Sequence, residues 1–258
     1  GIRDQPRSRG LGDVYKRQTL TAKEVEGYKF NYWLLNGEKV GEGQRTLSIS
    51  MERPYEAIAV YKRLLPDLVI GCEPSELEVE ENKPFTITVT VSNIGKGTSP
   101  PTYLEVSLRR NGVVVPMDQY IIEQPEGSIV RHKSVVIPIP PLGPGDSVTF
   151  PLKLRLPNGH YVLRAIVDPD NKVPEEREDD NECSCRITAY YLATFKAYCL
   201  TEGKEISVPF TLDGASYKTP KTIKLIGEHK VVAAKEDING HPFLKWTKDG
   251  KDYSTNRE

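Results

Sequence analysis

Phe85-Thr-Ile-Thr-Val-Thr-Val-Ser-Asn-Ile-Gly95 is the stretch on which the fold turns. Phe85, Ile87, Val89 and Val91 alternate with Thr86, Thr88, Thr90 and Ser92. A period of two puts the apolar residues on one face and the hydroxyls on the other, as a half-buried antiparallel strand requires. The same period returns on either side. Leu104, Val106 and Leu108 alternate with Glu105, Ser107 and Arg109 up to an Asn111-Gly112 turn. Val148, Phe150, Leu152 and Leu154 follow the turn Gly143-Pro144-Gly145-Asp146. His160 to Val167 is a more apolar strand, and Cys183 to Tyr190 is the last. Residues 116–140 are irregular: Val135, Ile137 and Ile139 alternate, but Pro138, Pro140 and Pro141 withhold ladder donors, so this piece predicts an edge strand at most. About seven short strands over about 120 residues, with turn signals between them, predict an all-β chain centred on an Ig-like antiparallel β-sandwich.

Composition agrees. The 258 residues include 20 Gly, 20 Pro and 13 Tyr but only 2 Met, a turn-rich balance that favours strands over helices. Lys and Arg number 35 against 36 Asp and Glu, so the net charge of -1 leaves no electrostatic case for a nucleic-acid or anionic-membrane partner. No apolar run reaches the roughly 18 residues of a spanning helix.

The two ends repeat each other. Ala22-Lys23-Glu24 is followed by Gly27, Phe30, Trp33 and Asn36-Gly37; Ala234-Lys235-Glu236 is followed by Gly240, Phe243, Trp246 and Asp249-Gly250. Both give G-x-x-F-x-x-W-x-x-[N/D]-G, a strand with two aromatic core anchors and then a tight turn. Leu47, Ile49 and Met51, then Ala57, Ala59 and Tyr61, predict two further strands in the first copy. The second copy carries the preceding part instead, from Ile206-Val208-Phe210 through Leu212-Asp213-Gly214 and Thr219-Pro220 to Val231-Val232. Each end therefore reads as an incomplete small β-module, over 19–65 and 191–258. Their spacing resembles InlB B-repeat-like modules, with a PEGA-like stretch at 213–231.

Residues 1–18 have no apolar period and no signal-peptide core. Asp13-Val14-Tyr15-Lys16-Arg17-Gln18 resembles the translation of a transposase-end sequencing adapter, and Ser8 to Gly12 matches the bases before it, so 1–18 is expected to be non-native.

In the centre, an ordered string of motifs carries a family resemblance. It runs Pro66-Asp67-Leu68-Val69-Ile70, Val89-x-Val91-x-Asn93-x-Gly95, Leu142-x-Pro144-Gly145, Gly159-His160-Tyr161, Asp168-Pro169-Asp170-Asn171-Lys172-Val173-x-Glu175 and Glu178-Asp179-Asp180-Asn181. Residues 66–190 resemble CARDB, a cell-adhesion-related domain of prokaryotes. The resemblance implies an Ig-like fold and a non-catalytic adhesion, spacing or display role outside the cell or on its surface. The implied partner is a protein or polysaccharide surface ligand.

Chemistry-bearing residues are few. The acidic loop after Asp168 offers Asp168, Asp170, Asn171, Glu178 and Asp180 as oxygen donors for Ca2+, without EF-hand spacing and with Pro169 and Pro174 restricting it. The competing reading is a structural hairpin in which Asp168 and Asn171 bond turn amides and Asn181 ties the last strand to the loop. Cys72, Cys183, Cys185 and Cys199 contain no C-x-x-C, which excludes a zinc ribbon. A Cys72–Cys185 bridge between the first and last strands is preferred, with other pairings and buried free thiols left open. His132, His160, His229 and His241 have no metal-ligand spacing, and no G-x-S-x-G or phosphate loop occurs. No catalytic or cofactor-binding residue is assigned. Trp33 and Trp246 are read as core anchors before sugar platforms. An alternative function is an accessory stalk or binding region of a secreted protease or glycosidase whose catalytic domain lies elsewhere.

Overall fold

The computed structural model describes residues 17–233 and 242–255. The adapter-like stretch up to residue 16 lies outside them, as do Ala234-Lys235-Glu236 and Gly240 of the second repeat. Arg17 and Gln18 open the first strand, opposite Ser50 and Ile49.

The first flanking unit contains Arg17–Thr21 (β1), Tyr28–Leu35 (β2), Glu38–Val40 (β3), Thr46–Ser50 (β4) and Ala57–Arg63 (β5). β1 pairs β4, and β3-β2-β5 form a second sheet. Phe30 and Trp33 are three apart, so plain alternation would send them to opposite faces. An irregularity between Phe30 and Tyr32 inserts one residue into the register, and both rings enter the same small core with Ala22. The turn after them uses positive φ at Asn36 and Gly37, as Asn-Gly predicts.

The central unit contains Leu68–Glu73 (β6), Glu76–Glu80 (β7), Pro84–Asn93 (β8), Thr102–Arg110 (β9), Val113–Val114 (β10), Ile121–Glu123 (β11), Ile129–Val130 (β12), Ser134–Ile139 (β13), Ser147–Arg155 (β14), Gly159–Val167 (β15) and Glu182–Phe195 (β16). One sheet has the order β11-β14-β8-β6. The other runs β12-β13-β9-β15-β16, with β7 parallel to β16 and β10 on β9. Ile87, Val89 and Val91 of β8 are fully buried between the sheets, in one core with Leu104, Val106 and Leu108 of β9. Thr90 and Thr149 meet outside through their hydroxyls. The expected edge strand is β13. Beyond it lies only the two-residue β12, opposite Val135 and Val136, so Pro138 has a neighbour on one side only. Sequence reading missed the turn at Met117–Gln119, whose Met117 is fully buried in the core.

The last expected strand is longer than predicted. β16 runs five residues past Tyr190 and pairs there with the next unit, so the boundary near 190 falls inside a continuous strand. That unit contains Ala197–Cys199 (β17), Lys204–Ile206 (β18), Pro209–Leu212 (β19), Ala215–Lys218 (β20), Lys221–Leu225 (β21), Val231–Ala233 (β22), Trp246–Lys248 (β23) and Lys251–Ser254 (β24). Its small core is Phe210, Leu212 and Leu225, packed by Tyr191, Ala193 and Phe195 of β16.

Candidate functional site

Chemistry-bearing side chains converge at one end of the sandwich, where the chain enters β6 and the 168–181 loop joins β15 to β16. Asn93 ends β8 fully buried. Its Oδ1 accepts from the N–H groups of Asp67 (3.1 Å) and Gly95 (3.0 Å). Its Nδ2 donates to the carbonyls of Gly97 and Leu142, both at 2.8 Å. One amide thus satisfies backbone groups from three segments that have no ladder partner there. Gly95 and Gly97 must be glycine because a Cβ at either would overlap the Leu64–Asp67 backbone.

The acidic loop closes over this junction. Asp168 takes a positive φ and is buried; its Oδ1 accepts from Thr102 Oγ1 (2.9 Å) and its Oδ2 from Val173 N–H (2.7 Å). Asn171 supplies a second left-handed residue, donating its N–H to the Asp168 carbonyl. Asp170 pairs with Lys172 at 2.6 Å, and that bond, then one from Tyr103, holds its carboxyl below the usual range. Glu178 Oε1 accepts from Glu175 N–H. Buried Glu175 accepts from Leu68 N–H with Oε2 and from Asn181 Nδ2 with Oε1, the latter at 3.2 Å. Arg177 spans two carboxylates, Asp67 (3.3 Å) and Asp180 (2.6 Å).

The five residues expected to offer Ca2+ ligands are therefore distributed along the loop. Asp168 and Glu178 bond amides, Asp170 and Asp180 bond cations of the chain, and Asn171 shapes a turn. Among the described residues no three His, Cys, Asp or Glu side chains converge as a metal site needs. Arg177 supplies the positive charge between Asp67 and Asp180, while Asp67 Oδ1, Asp180 Oδ1 and Asn181 Oδ1 lack partners among the described residues. The hairpin reading holds for Asp168 and Asn181. Sequence reading quoted Asp67 and Asn93 only as pattern and missed Thr102 and Arg177. Their signal was the ordered motif string itself, whose separate members bond one another.

Residues 65–185, which hold this whole constellation, match the CARDB family model. This sandwich is a CARDB domain. A CARDB domain from Pyrococcus furiosus, solved in complex with di-metal ions, is 24% identical over 48% of this chain and 94% of that one, with a TM-score of 0.35. A domain of a putative cell surface protein from Methanosarcina acetivorans is 25% identical over 48% and 92%, with a TM-score of 0.33. The major pilin subunit BcpA of Bacillus cereus is 8% identical over 93% and 92%, with a TM-score of 0.35. A comparison with curated proteins gave no match. No described helix is long and apolar enough to cross a membrane.

The CARDB domain carries a disulfide, and it corrects the preferred pairing. Cys72 joins Cys183, with Cα atoms 5.8 Å apart, and Cys185 remains a buried thiol. The parallel register of β7 decides this. Glu76 lies opposite Arg186, so stepping back along both strands brings the 72–73 corner level with Cys183 and short of Cys185. Burial pushes the Cys185 thiol up to about 11, far from thiolate reactivity at neutral pH. Cys199 is buried in β17, its sulfur accepting from Glu202 N–H at 3.4 Å.

Glu175 makes the CARDB clasp pH-dependent. Burial first, then the charges of Glu178 and Asp168, push its carboxyl up to about 7, against the lowering pull of the bonds from Leu68 and Asn181. Across the window between the ordinary 4.5 and about 7, the folded chain keeps a proton that the unfolded chain has released. The stability this group contributes is full below that window and is lost as pH rises through it. Glu175→Gln is expected to remove that slope from thermal midpoints measured between about pH 4 and 8. The glutamine Nε2 can donate to Asn181 Oδ1 once that amide turns over. A variant whose midpoint falls with pH as the wild type does would assign the slope elsewhere.

Proposed function

We propose that this chain is a non-catalytic adhesion and spacer region of a prokaryotic surface protein outside the cell, with the CARDB domain as its rigid centre. The observation that carries the reading is the bracing of both joints. On the entry side Leu64 N–H donates to Gly27 O at 2.8 Å, and Leu65 O accepts from Lys96 and Gly97. On the exit side β16 serves two sheets without a break. Asn158 bonds both Leu225 O (3.0 Å) and Gly227 N–H (2.6 Å) there, and Lys224 pairs with Glu78 at 2.7 Å. A stalk that holds a distant head away from an envelope needs such stiffness, whereas a Gly/Ser linker would behave as a random coil.

Small-angle scattering of the full chain is expected to report one extended, rigid particle. Combining Asn158→Ala with Glu78→Ala, which strips the exit joint of its side-chain braces, is expected to broaden the distance distribution. A wild-type profile typical of beads on flexible linkers would defeat the spacer reading.

A further inference from the structure

Buried side-chain polar atoms without a hydrogen-bond partner are rare in folded chains, and each one needs an explanation. Three of the five among the described residues are oxygens of the clasp: Asp67 Oδ1, Asp180 Oδ1 and Asn181 Oδ1. A closed ring of bonds holds their side chains together. Asp67 is followed by Leu68, whose N–H donates to Glu175 Oε2. Glu175 Oε1 accepts from Asn181 Nδ2 at 3.2 Å. Asn181 is preceded by Asp180, whose Oδ2 meets Arg177 Nη2 at 2.6 Å. Arg177 Nε donates to Asp67 Oδ2 at 3.3 Å, and the ring closes.

The ring leaves a defined remainder. Arg177 takes Oδ2 of both aspartates, and Glu175 takes the amide nitrogen of Asn181. One Oδ1 is left on each of the three side chains, and all three atoms only accept, so they cannot satisfy one another. A cation satisfies all three at once. Asp67 gains most from it: its side chain is 8% exposed, and a buried carboxylate with one bare oxygen is costly. The charge balance agrees. From Glu175 to Glu182 the loop carries six carboxylates and one cation, Arg177.

We propose that Asp67, Asp180 and Asn181 are the protein ligands of a calcium site, coordinating the ion through their Oδ1 atoms while Arg177 keeps both Oδ2 atoms. The donor set selects the ion. Oxygens alone favour a hard cation over zinc or copper. Two carboxylates and an amide, completed by carbonyl and water oxygens, suit the six to eight ligands and loose geometry of Ca2+ better than the strict octahedron of Mg2+. Two charged ligands place the affinity in the weak class of extracellular modules, about 10⁻⁴–10⁻³ M. Only Asp180 is shared with the five calcium ligands read from the loop sequence. Asp67 lies 110 residues before Arg177, so the ion ties the segment entering β6 to the loop leading into β16.

The test titrates calcium chloride into the full 15N-labelled chain at fixed ionic strength. The Leu68 amide and the Asn181 side-chain amide are expected to shift saturably, and the thermal midpoint to rise, while Mg2+ at the same concentrations does neither. Asp180→Ala is expected to bind at least about tenfold more weakly, because it removes one of only two charged ligands. Asp170→Asn, which removes a charge from the same loop outside the ring, is expected to keep the wild-type affinity. No saturable shift up to about 10 mM, ten times the weak end of that affinity class, overturns the site. So does unchanged affinity in Asp180→Ala. An equal response to Mg2+, or an equal loss in Asp170→Asn, would reduce the effect to diffuse attraction by an acidic loop and overturns it too.

Discussion

Asn93→Ala is expected to lower the thermal midpoint of the CARDB domain by roughly 15 °C, more than any truncation of a surface side chain. The reason is what the side chain leaves behind. The N–H groups of Asp67 and Gly95 and the carbonyl of Gly97 each lose their bond to it in a buried place, while Leu142 O keeps its bond from Ser99 N–H. Stranded buried groups cost about 1–3 kcal/mol each, so the loss is about 3–9 kcal/mol against a domain total of about 5–15 kcal/mol. Asn93→Asp separates this account from lost packing. The aspartate keeps an acceptor for Asp67 and Gly95 but turns an oxygen towards the carbonyls of Gly97 and Leu142. At pH 7 it should be at least as damaging as alanine. It should recover in acid, where a proton restores one donor and relieves the buried charge. Thr90→Ala, on the outer face of the same strand, is expected to stay within about 0.5 kcal/mol. Equal midpoints for Asn93→Ala and Thr90→Ala would remove Asn93 as the hub of the junction.

Period-two alternation made the sandwich legible. Once one face of β8, β9 and β14 is buried, Val89, Val106 and Leu152 must all point inwards, and a slip of one residue would bury Thr90, Ser107 or Lys153 in their place. The hydroxyls of Thr90 and Thr149 lie on the outer face accordingly. The first copy's aromatic anchors were legible for a different reason, since two bulky rings in a turn-bounded strand need a core whatever their spacing. Three features were not legible. Met117 sits in an irregular segment with no period to mark it as core. The onward run of β16 depends on β21, a strand some 30 residues away, and local sequence does not announce such a partner. The choice between Cys183 and Cys185 depends on the β7 register, because residues two apart on a strand share a face and period alone cannot separate them. The clasp falls between these cases: its members were visible as motifs, but which carboxylate bonds which amide is set by the meeting of loops far apart in sequence.

Reducing the Cys72–Cys183 bridge is expected to cost about 4 kcal/mol, because a closed loop of this order removes about 4–5 kcal/mol of chain entropy from the unfolded state and native bridges are typically worth about 2–5 kcal/mol. The separation between its ends is 111 residues, nearly the whole domain. Cys183→Ala is expected to reproduce the loss and to abolish the mobility change on reduction in a denaturing gel, whereas Cys185→Ala is expected to keep both the bridge and the change. Variants are needed for this distinction, since trypsin releases Cys183 and Cys185 together in the peptide 178–186. The bridge also has a mechanical consequence for a spacer. Tension applied through the two ends of the chain reaches the domain at β6 and β16, the two strands that the bridge ties together. While it is intact, the 111-residue span between its ends cannot be drawn out. At about 3.3–3.6 Å per extended residue, reduction should add roughly 370–400 Å to the contour length on full extension of the chain. Equal contour lengths with and without reductant would refute the bridge. A long extension in Cys185→Ala without reductant, matched by a short one in Cys183→Ala, would move it to Cys185. The lock limits how far the chain can lengthen under tension: with the bridge intact only residues outside 72–183 can be drawn out, Leu68 of β6 and Cys185, Ile187 and Ala189 of β16 among them.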